Sequence, residues 1–578
     1  MRIALFLIGL LVAGRSWAEP DTFELGSGKD GELIITSSGV VLNRYARLTA
    51  DAAEGTSTLT VADATGFAAG DLVLLHQSTG LSPAPDSGDQ NPIDLGDGPV
   101  GRFEYARVAS VSEGGVLGLT APLLYGYAAN LSQVVEVPEY TALEVSSGAS
   151  LRAEPWDGGV GGILAMMVTG SLRNDGLITV DGAGFRGGAL DLSYINLNEC
   201  TGLDTPVDAG GAYKGEGLVA GSAGTASGRG NLTHGGGGGI CHNSGGGGGG
   251  HAGMGGQGGR AAPADNERDV GGLGGAPLVY LPYERLVFGG GGGAGEGNNG
   301  ANTGGGSGGG LMLIRAGNVQ GQEGRFSAMG TTAPGKARDD GAGGGGAGGA
   351  ISIRTAKRLE CGLAEASGGP GGNVGEIAFP VGTGGGGGGG VVFLQGSPLA
   401  CETRVRAGEP GRTEVDGGTH GAGPEDVDGG TVRGSEQIDS SPFRLPDPPR
   451  LTQPVNGATQ VEPTLRIEGR VRPGVQRVHL FLDGRPLTRL EPESNGHFAY
   501  DVPEALPQGV HELRASAELL GVRSPVSAPN TFEVNSVSLP MPPIALDVGC
   551  GCGSASGMGL WAGVMLLAAW AARRRRPL

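Results

Sequence analysis

The chain has 578 residues, 121 of them glycine, with 5% aromatic and 17% charged residues and a formal net charge of −19. Glycine at about three times its usual share excludes a large core built from side chains alone, while recurring apolar clusters exclude simple disorder. The acidic balance argues against nucleic acid as a partner.

Residues 1–18 read as a secretory signal peptide. Met1-Arg2 is basic, residues 3–12 are apolar with one glycine, and Ser16-Trp17-Ala18 places small residues at −3 and −1, so cleavage follows Ala18. The apolar run is short for a bilayer span.

Residues 19–135 carry short β-type runs bounded by Gly, Asp or Ser, among them Leu33-Ile34-Ile35-Thr36, Leu59-Thr60-Val61 and Leu72-Val73-Leu74-Leu75. A small β-barrel or sandwich is expected there. Asp86, Asp89, Asp94 and Asp97 form an acidic loop. Such carboxylates are candidate calcium ligands, but they match neither the EF-hand nor the nonapeptide repeat, and a solvated loop is the plainer reading. The same applies to Asp339-Asp340 and to the acidic stretch from Asp416 to Asp428.

Residues 136–440 repeat. Leu311-Met312-Leu313-Ile314, Ile351-Ser352-Ile353 and Val391-Val392-Phe393-Leu394 each follow a glycine run at intervals of 40. Weaker second strands are expected at residues 326–329, 363–366 and 405–407, and the same unit occurs earlier at 163–168 and 177–180. A fixed period of this size signals stacked coils, a β-solenoid-like architecture. Continuous apolar strands such as Ile163-Leu164-Ala165-Met166-Met167-Val168 call for burial on both faces. The glycine runs are either flexible loops or packed polyproline-II-like segments. Their fixed place before a strand favours order, and the absence of a Gly-X-Y period excludes collagen. Cys361 and Cys401 also lie 40 apart. Equivalent positions on neighbouring coils suit a disulfide, which leaves Cys200 and Cys241 as a second pair in an oxidising compartment.

Over residues 449–535 glycine falls and alternating strands return, as in Thr464-Leu465-Arg466-Ile467-Glu468 and Val478-His479-Leu480-Phe481-Leu482. This spacing predicts an immunoglobulin-like β-sandwich, expected to act as a stalk. Residues 536–549, with Pro540 to Pro543, form a stiff spacer. Residues 550–578 combine Cys550 and Cys552, one short hydrophobic segment at 555–572 and Arg573-Arg574-Arg575-Arg576. The arginine block fixes orientation by the positive-inside rule, and the shortness of the segment points to a processed signal rather than a permanent transmembrane helix.

This tail resembles the MYXO-CTERM sorting signal of myxobacteria. The resemblance implies removal by a sorting protease, attachment through Cys550 or Cys552, and an outer-membrane, cell-surface location. Trp156-Asp157-Gly158-Gly159, the segment from Gly182 to Gly188 and that from Phe288 to Asn299 are similar to myxobacterial surface proteins of the adventurous-gliding-motility type. The 449–535 module is similar to bacterial Ig-like domains of adhesins, carried by its Pro-Gly turn and by Leu-Asp-Gly and Gly-Val-His-Glu-Leu.

Few motifs suggest catalysis. Gly305-Gly306-Ser307-Gly308-Gly309 fits the nucleophile-elbow pattern, but in poly-glycine and without the strand–turn–helix context. His234, Cys241, His242 and His251 match no zinc spacing, so polar loop positions are expected. Arg315 and Arg354 recur at equivalent positions, as strand-end caps. The sequence therefore predicts an all-β, surface-anchored structural or adhesive protein without catalytic residues or a cofactor, calcium apart. Expected partners are cell-surface or matrix components, including polysaccharide, the sorting protease, and the membrane through the tail. Two alternatives stand beside it: a secreted carbohydrate-active enzyme on a solenoid scaffold, recognisable by a groove of facing carboxylates and aromatics, and a gliding-motility or envelope-assembly component.

Overall fold

The structure, a computed structural model, describes residues 21–96, 98–190, 202–240, 242–260, 271–375, 381–420, 422–423, 433–460 and 464–535. Ala18, Cys200, Cys241, Cys550, Cys552 and the apolar tail lie outside them. The described residues are all-β, with one 3-10 turn at Val207–Ala209.

Six antiparallel strands make the N-terminal sheet, in the order Tyr45–Arg47, Ser132–Val137, Leu72–Gln77, Phe103–Ser112, Val116–Leu119, Thr58–Thr60. The run at Leu72–Gln77 is buried along its whole length because the sheet packs on both sides. Val73 and Leu75 face the sheet's own core, with Leu59 and Val108. Leu72 and Leu74 face the repeat region. One expected strand lies elsewhere: Glu32–Ile35 pairs in parallel with Ala142–Val145 and joins the repeat region's sheet.

That sheet is parallel and 13-stranded. Ile163–Asn174, Leu311–Gln320, Ala350–Thr355, Val391–Gln395 and Ser435–Asp439 stack side by side. The returning strands Ser150–Arg152, Leu177–Thr179, Arg325–Ser327, Leu359–Glu365 and Leu399–Arg404 form a second stack. Apolar side chains fill the space between, including Met166, Met312, Ile351, Ile353, Val392 and Phe326. Alternate residues of the first strands, such as Ile163, Ala165 and Met167, face outward into the contact with the N-terminal sheet. Each coil thus buries both faces of its first strand, as the unbroken apolar runs require. The last return strand is Leu399–Arg404, not residues 405–407. It closes the stack with one open edge, and its half-exposed, polar sequence carries little apolar signal. Cys361 and Cys401 form a disulfide between the final two coils, with Cα atoms 4.6 Å apart.

The glycine runs are ordered. Successive amides of one run point to three different neighbours. Gly344 donates to the Gly293 carbonyl, Gly345 to Gly385 and Gly346 to Thr331, all at 2.8–2.9 Å; Ala347, Gly348 and Gly349 then return to the same three neighbours, at Gly290, Gly388 and Ala328. A three-residue repeat is that of the polyproline-II helix, and no glycine from 341 to 349 has a positive φ. The segments therefore bond to one another as a bundle. At most of its glycines the packing leaves no space for a Cβ: one on Gly344 would lie 2.1 Å from the Gly247 oxygen, and one on Gly387 2.0 Å from that of Gly346. Backbone groups satisfy each other where another protein would need side chains to form a core.

Trp156, Phe185 and Phe288 close the junction between coils and bundle, with ring centroids 5.3–6.2 Å apart. Each aromatic lies at or near the start of a glycine-containing segment, so three distant stretches share one node.

The C-terminal module has a three-stranded sheet (Arg450–Gln453, Arg466–Arg470, His497–Asp501) and a six-stranded one that includes Arg477–Leu482, Gly509–Leu519 and Asn530–Val534. Ile467, Leu480, Phe498, Leu513 and Phe532 fill its core. The module is not a free stalk. Arg477 pairs with Glu284 at 2.6 Å, Gln476 Nε2 donates to the Tyr283 hydroxyl at 3.0 Å, and Arg354 Nη1 donates to the Leu520 carbonyl at 3.0 Å. It is docked on the body.

Candidate functional site: a cleft where three regions meet

Docking encloses a cleft of about 390 Å³. The N-terminal sheet supplies Arg102, Phe103, Glu104, Tyr105 and Tyr125; the body supplies Tyr280, Tyr283 and Glu284; the C-terminal module supplies Arg477, His479, Arg489, Glu518 and Arg523.

Strand register builds the wall of the C-terminal module. Arg477 stands opposite Glu518, and Glu518 opposite Arg523, across three adjacent strands. Glu518 therefore meets Arg477 Nη1 at 3.0 Å, Arg523 Nε at 3.6 Å and His479 Nε2 at 2.5 Å. Burial alone would raise its pKa, but His479, Arg523 and Arg477 outweigh burial and hold it down at about 2. Burial lowers the pKa of His479, against the pull of Glu518.

Glu104 is the opposite case. Its carboxylate accepts the amides of Leu124 at 2.8 Å and Tyr125 at 3.1 Å, yet burial dominates and pushes it up to about 7. Two guanidiniums approach one tyrosine ring: Arg102 lies 4.9 Å and Arg523 5.7 Å from the Tyr125 centroid. Val279 and Leu281, 51% and 44% exposed, also line the cleft. Aromatic faces beside guanidiniums and buried acids suit a ligand with both apolar faces and hydrogen-bonding or anionic groups.

The residues singled out from sequence lie apart from this cleft, Asp94 excepted. Asp89 Oδ1 accepts the amide and side chain of Asn91 at 2.9 and 2.8 Å, and Asp94 Oδ1 the Gly96 amide at 2.8 Å. Asp97 is outside the described residues, among which no three His, Cys, Asp or Glu side chains group to hold a metal. Asp340 is buried and binds the backbone amides of Asn298, Asn299 and Ala301. Ser307 sits in an extended bundle segment, its amide bonded to Thr331 Oγ1 at 2.8 Å, not on a strand-to-helix elbow.

His234 and His251 are not loop decoration. Both are fully buried. His234 Nε2 contacts the Phe288 carbonyl at 3.1 Å; His251 contacts the Gly348 carbonyl and the Tyr280 hydroxyl, each at 2.6 Å. Burial, joined by His251, lowers His234 to about 3, and burial lowers His251 to about 4. Arg315 and Arg354, expected as strand caps, are buried as well. The cleft residues carry no motif: Arg102, Tyr283 and Glu518 come from three distant segments, and only the fold brings them together.

No protein-family model matches the chain, and no curated protein matches it. Among solved structures, fibronectin(III)-like modules of Clostridium thermocellum CbhA match at 18% identity and TM-score 0.12, covering 15% of this chain and 93% of theirs. The cell-surface-expressed chitinase ChiW of Paenibacillus sp. str. FPU-7 matches at 8% identity and TM-score 0.13, over 69% of this chain and 23% of that one. A tailspike of Acinetobacter baumannii bacteriophage AP22, in complex with capsular saccharide, matches at 9% identity and TM-score 0.15, over 78% of each chain. TM-scores this low establish no common fold.

Proposed function

We propose that the protein is a surface-anchored structural or adhesive element without catalytic activity. In this reading it is exported by residues 1–18, anchored at Cys550 or Cys552 after MYXO-CTERM-type processing, and exposed outside the cell. The observation that carries the reading is the glycine bundle. A body held by backbone hydrogen bonds among packed segments offers a protease few flexible loops, which suits a load-bearing external part. The C-terminal module, read as Ig-like, precedes the anchor and joins it to the body. The cleft is the contact site for a surface or matrix partner, polysaccharide included.

The test is protease treatment of intact cells with mass spectrometry of the mature C-terminus. Expected are surface accessibility, a compact core surviving digestion, and loss of Arg573–Arg576. A protein that retains those arginines and is hidden from protease sinks the anchoring.

The cleft itself favours a second reading. Two buried carboxyl groups whose environments drive their protonation apart, beside aromatic rings, form the pattern of an acid–base pair in a carbohydrate-active enzyme. Against it, Glu518 is saturated by two arginines and His479, and Glu104 by two amides. Polysaccharide cleavage by the purified protein, abolished in Glu104→Gln and Glu518→Gln, would establish the enzyme.

A further inference from the structure

Arg315 and Arg354 are register partners on neighbouring parallel strands, which places them about 4.8 Å apart along the stack. They are 5% and 6% exposed. Stacked guanidiniums repel each other, and their removal from water is costly without counter-charge. Arg315 has a counter-charge in Asp21, which it meets with both terminal nitrogens. Arg354 has none. Its Nε donates to Gln395 Oε1 at 2.8 Å and its Nη1 to the Leu520 carbonyl at 3.0 Å, both neutral acceptors. The Phe443 and Phe393 rings lie 4.8 and 5.5 Å from its guanidinium carbon. Burial first, and then Arg315, bring Arg354 down to about 9, against the pull of Asp21, Tyr105 and Asp439.

A recess of about 10 Å³ adjoins the two arginines, lined also by Ser352, Phe103, Tyr105 and Tyr283. Ser352 is two residues before Arg354, so both side chains leave the strand on the same face. The Ser352 hydroxyl and Arg354 Nη2 make no hydrogen bond among the described residues. A space of this size holds about one water molecule or one small ion. A sugar or a carboxylate is too large for it.

We propose that the recess is a halide site, which takes one chloride ion between Arg354, Arg315 and the Ser352 hydroxyl. Among the groups in direct contact, Asp21 offsets Arg315, and one monovalent anion supplies the contact counter-charge that Arg354 lacks. Arg354 also holds the Leu520 carbonyl of the C-terminal module, so the ion steadies the side chain that clasps that module to the body. The site shares Phe103, Tyr105 and Tyr283 with the cleft. It does not depend on what the cleft binds.

The test is thermal melting of the mature protein at fixed ionic strength in sodium chloride, bromide, acetate or gluconate, with anomalous diffraction from bromide-soaked crystals. Chloride and bromide are expected to raise the melting temperature in a saturable way, and bromide to give a peak between Arg354 and Arg315. Ser352→Ala is expected to raise the half-saturating halide concentration about fivefold, the worth of one hydrogen bond. Arg354→Met is expected to abolish the dependence. Superimposed halide and gluconate curves, an acetate effect as large as chloride's, an empty anomalous map, or a halide response unchanged in Ser352→Ala each overturn the proposal. The last arm decides the matter if Arg354→Met fails to fold.

Discussion

The two halves of each coil solve the same problem by opposite means. On the strand side, apolar side chains such as Ile353 and Phe326 interdigitate between two stacks, and the backbone pairs only within its own sheet. On the glycine side there are almost no side chains, and each segment bonds to neighbours in three directions. The first half is a core of shapes, in which one hydrophobe can replace another at modest cost. The second is a core of main chain, in which a Cβ added at most of the glycines meets a carbonyl oxygen. Glycine is therefore required by contact here, not by backbone angle.

A single coil gives the sharpest test of that contrast. A Cβ at Gly348 would sit 2.0 Å from the Ala366 oxygen, so Gly348→Ala is expected to cost above about 4 kcal/mol or prevent folding. A change of about 1 kcal/mol or less in either direction, the size seen where alanine can adopt the glycine's backbone without a clash, in denaturant titration would break the comparison. The buried histidines probe the same bundle by pH. His234 and His251 fall to about 3 and 4 from a usual 6.5. The unfolded chain therefore takes up protons first, and stability fully present above pH 6.5 is lost as pH falls toward 4 and 3. The expected loss is on the order of 5 kcal/mol for His234 and 3 kcal/mol for His251, read as a falling melting temperature. Glu104, on the side-chain-packed sheet, has the reverse sign. Its folded pKa of about 7 lies above the usual 4.5, so its contribution is fully present below pH 4.5 and lost as pH rises through 7. Glu104→Gln should remove an alkaline loss on the order of 3 kcal/mol; an unchanged pH profile would show that the carboxyl is solvated. Smallest is Ile353→Val, five residues from Gly348, expected to cost about 0.5–1.5 kcal/mol. Equal effects at Gly348 and Ile353 would mean that the two halves do not differ.

The strand half was legible from sequence. The unbroken runs at 163–168 and 311–314 announce burial on both faces, and the spacing of Cys361 and Cys401 locates the bond between coils. The fixed place of the glycine runs before a strand favoured order without deciding it, and their partners were not legible. Gly385 bonds to Gly246, 139 positions away, through backbone groups common to every residue, so no side-chain pattern marks the pair. Leu33-Ile34-Ile35 was placed with its sequence neighbours, although its partner strand follows the N-terminal sheet. The cleft was illegible, since its charges acquire their character only where the module docks. A strand pattern such as Val478-His479-Leu480 predicts the sheet and says nothing about which face meets the body.

The threefold bonding has a kinetic consequence. A segment enclosed on three sides cannot be added or removed alone: pulling out residues 341–349 breaks contacts with segments near 247, 290, 330, 369 and 388 together. Nearly all of those contacts are distant in sequence, so the closure of many large loops precedes any reward, and folding is expected to be slow. The same feature makes escape slow. Once assembled, such a body persists because it has no small first step by which to come apart, whatever the depth of its free-energy minimum.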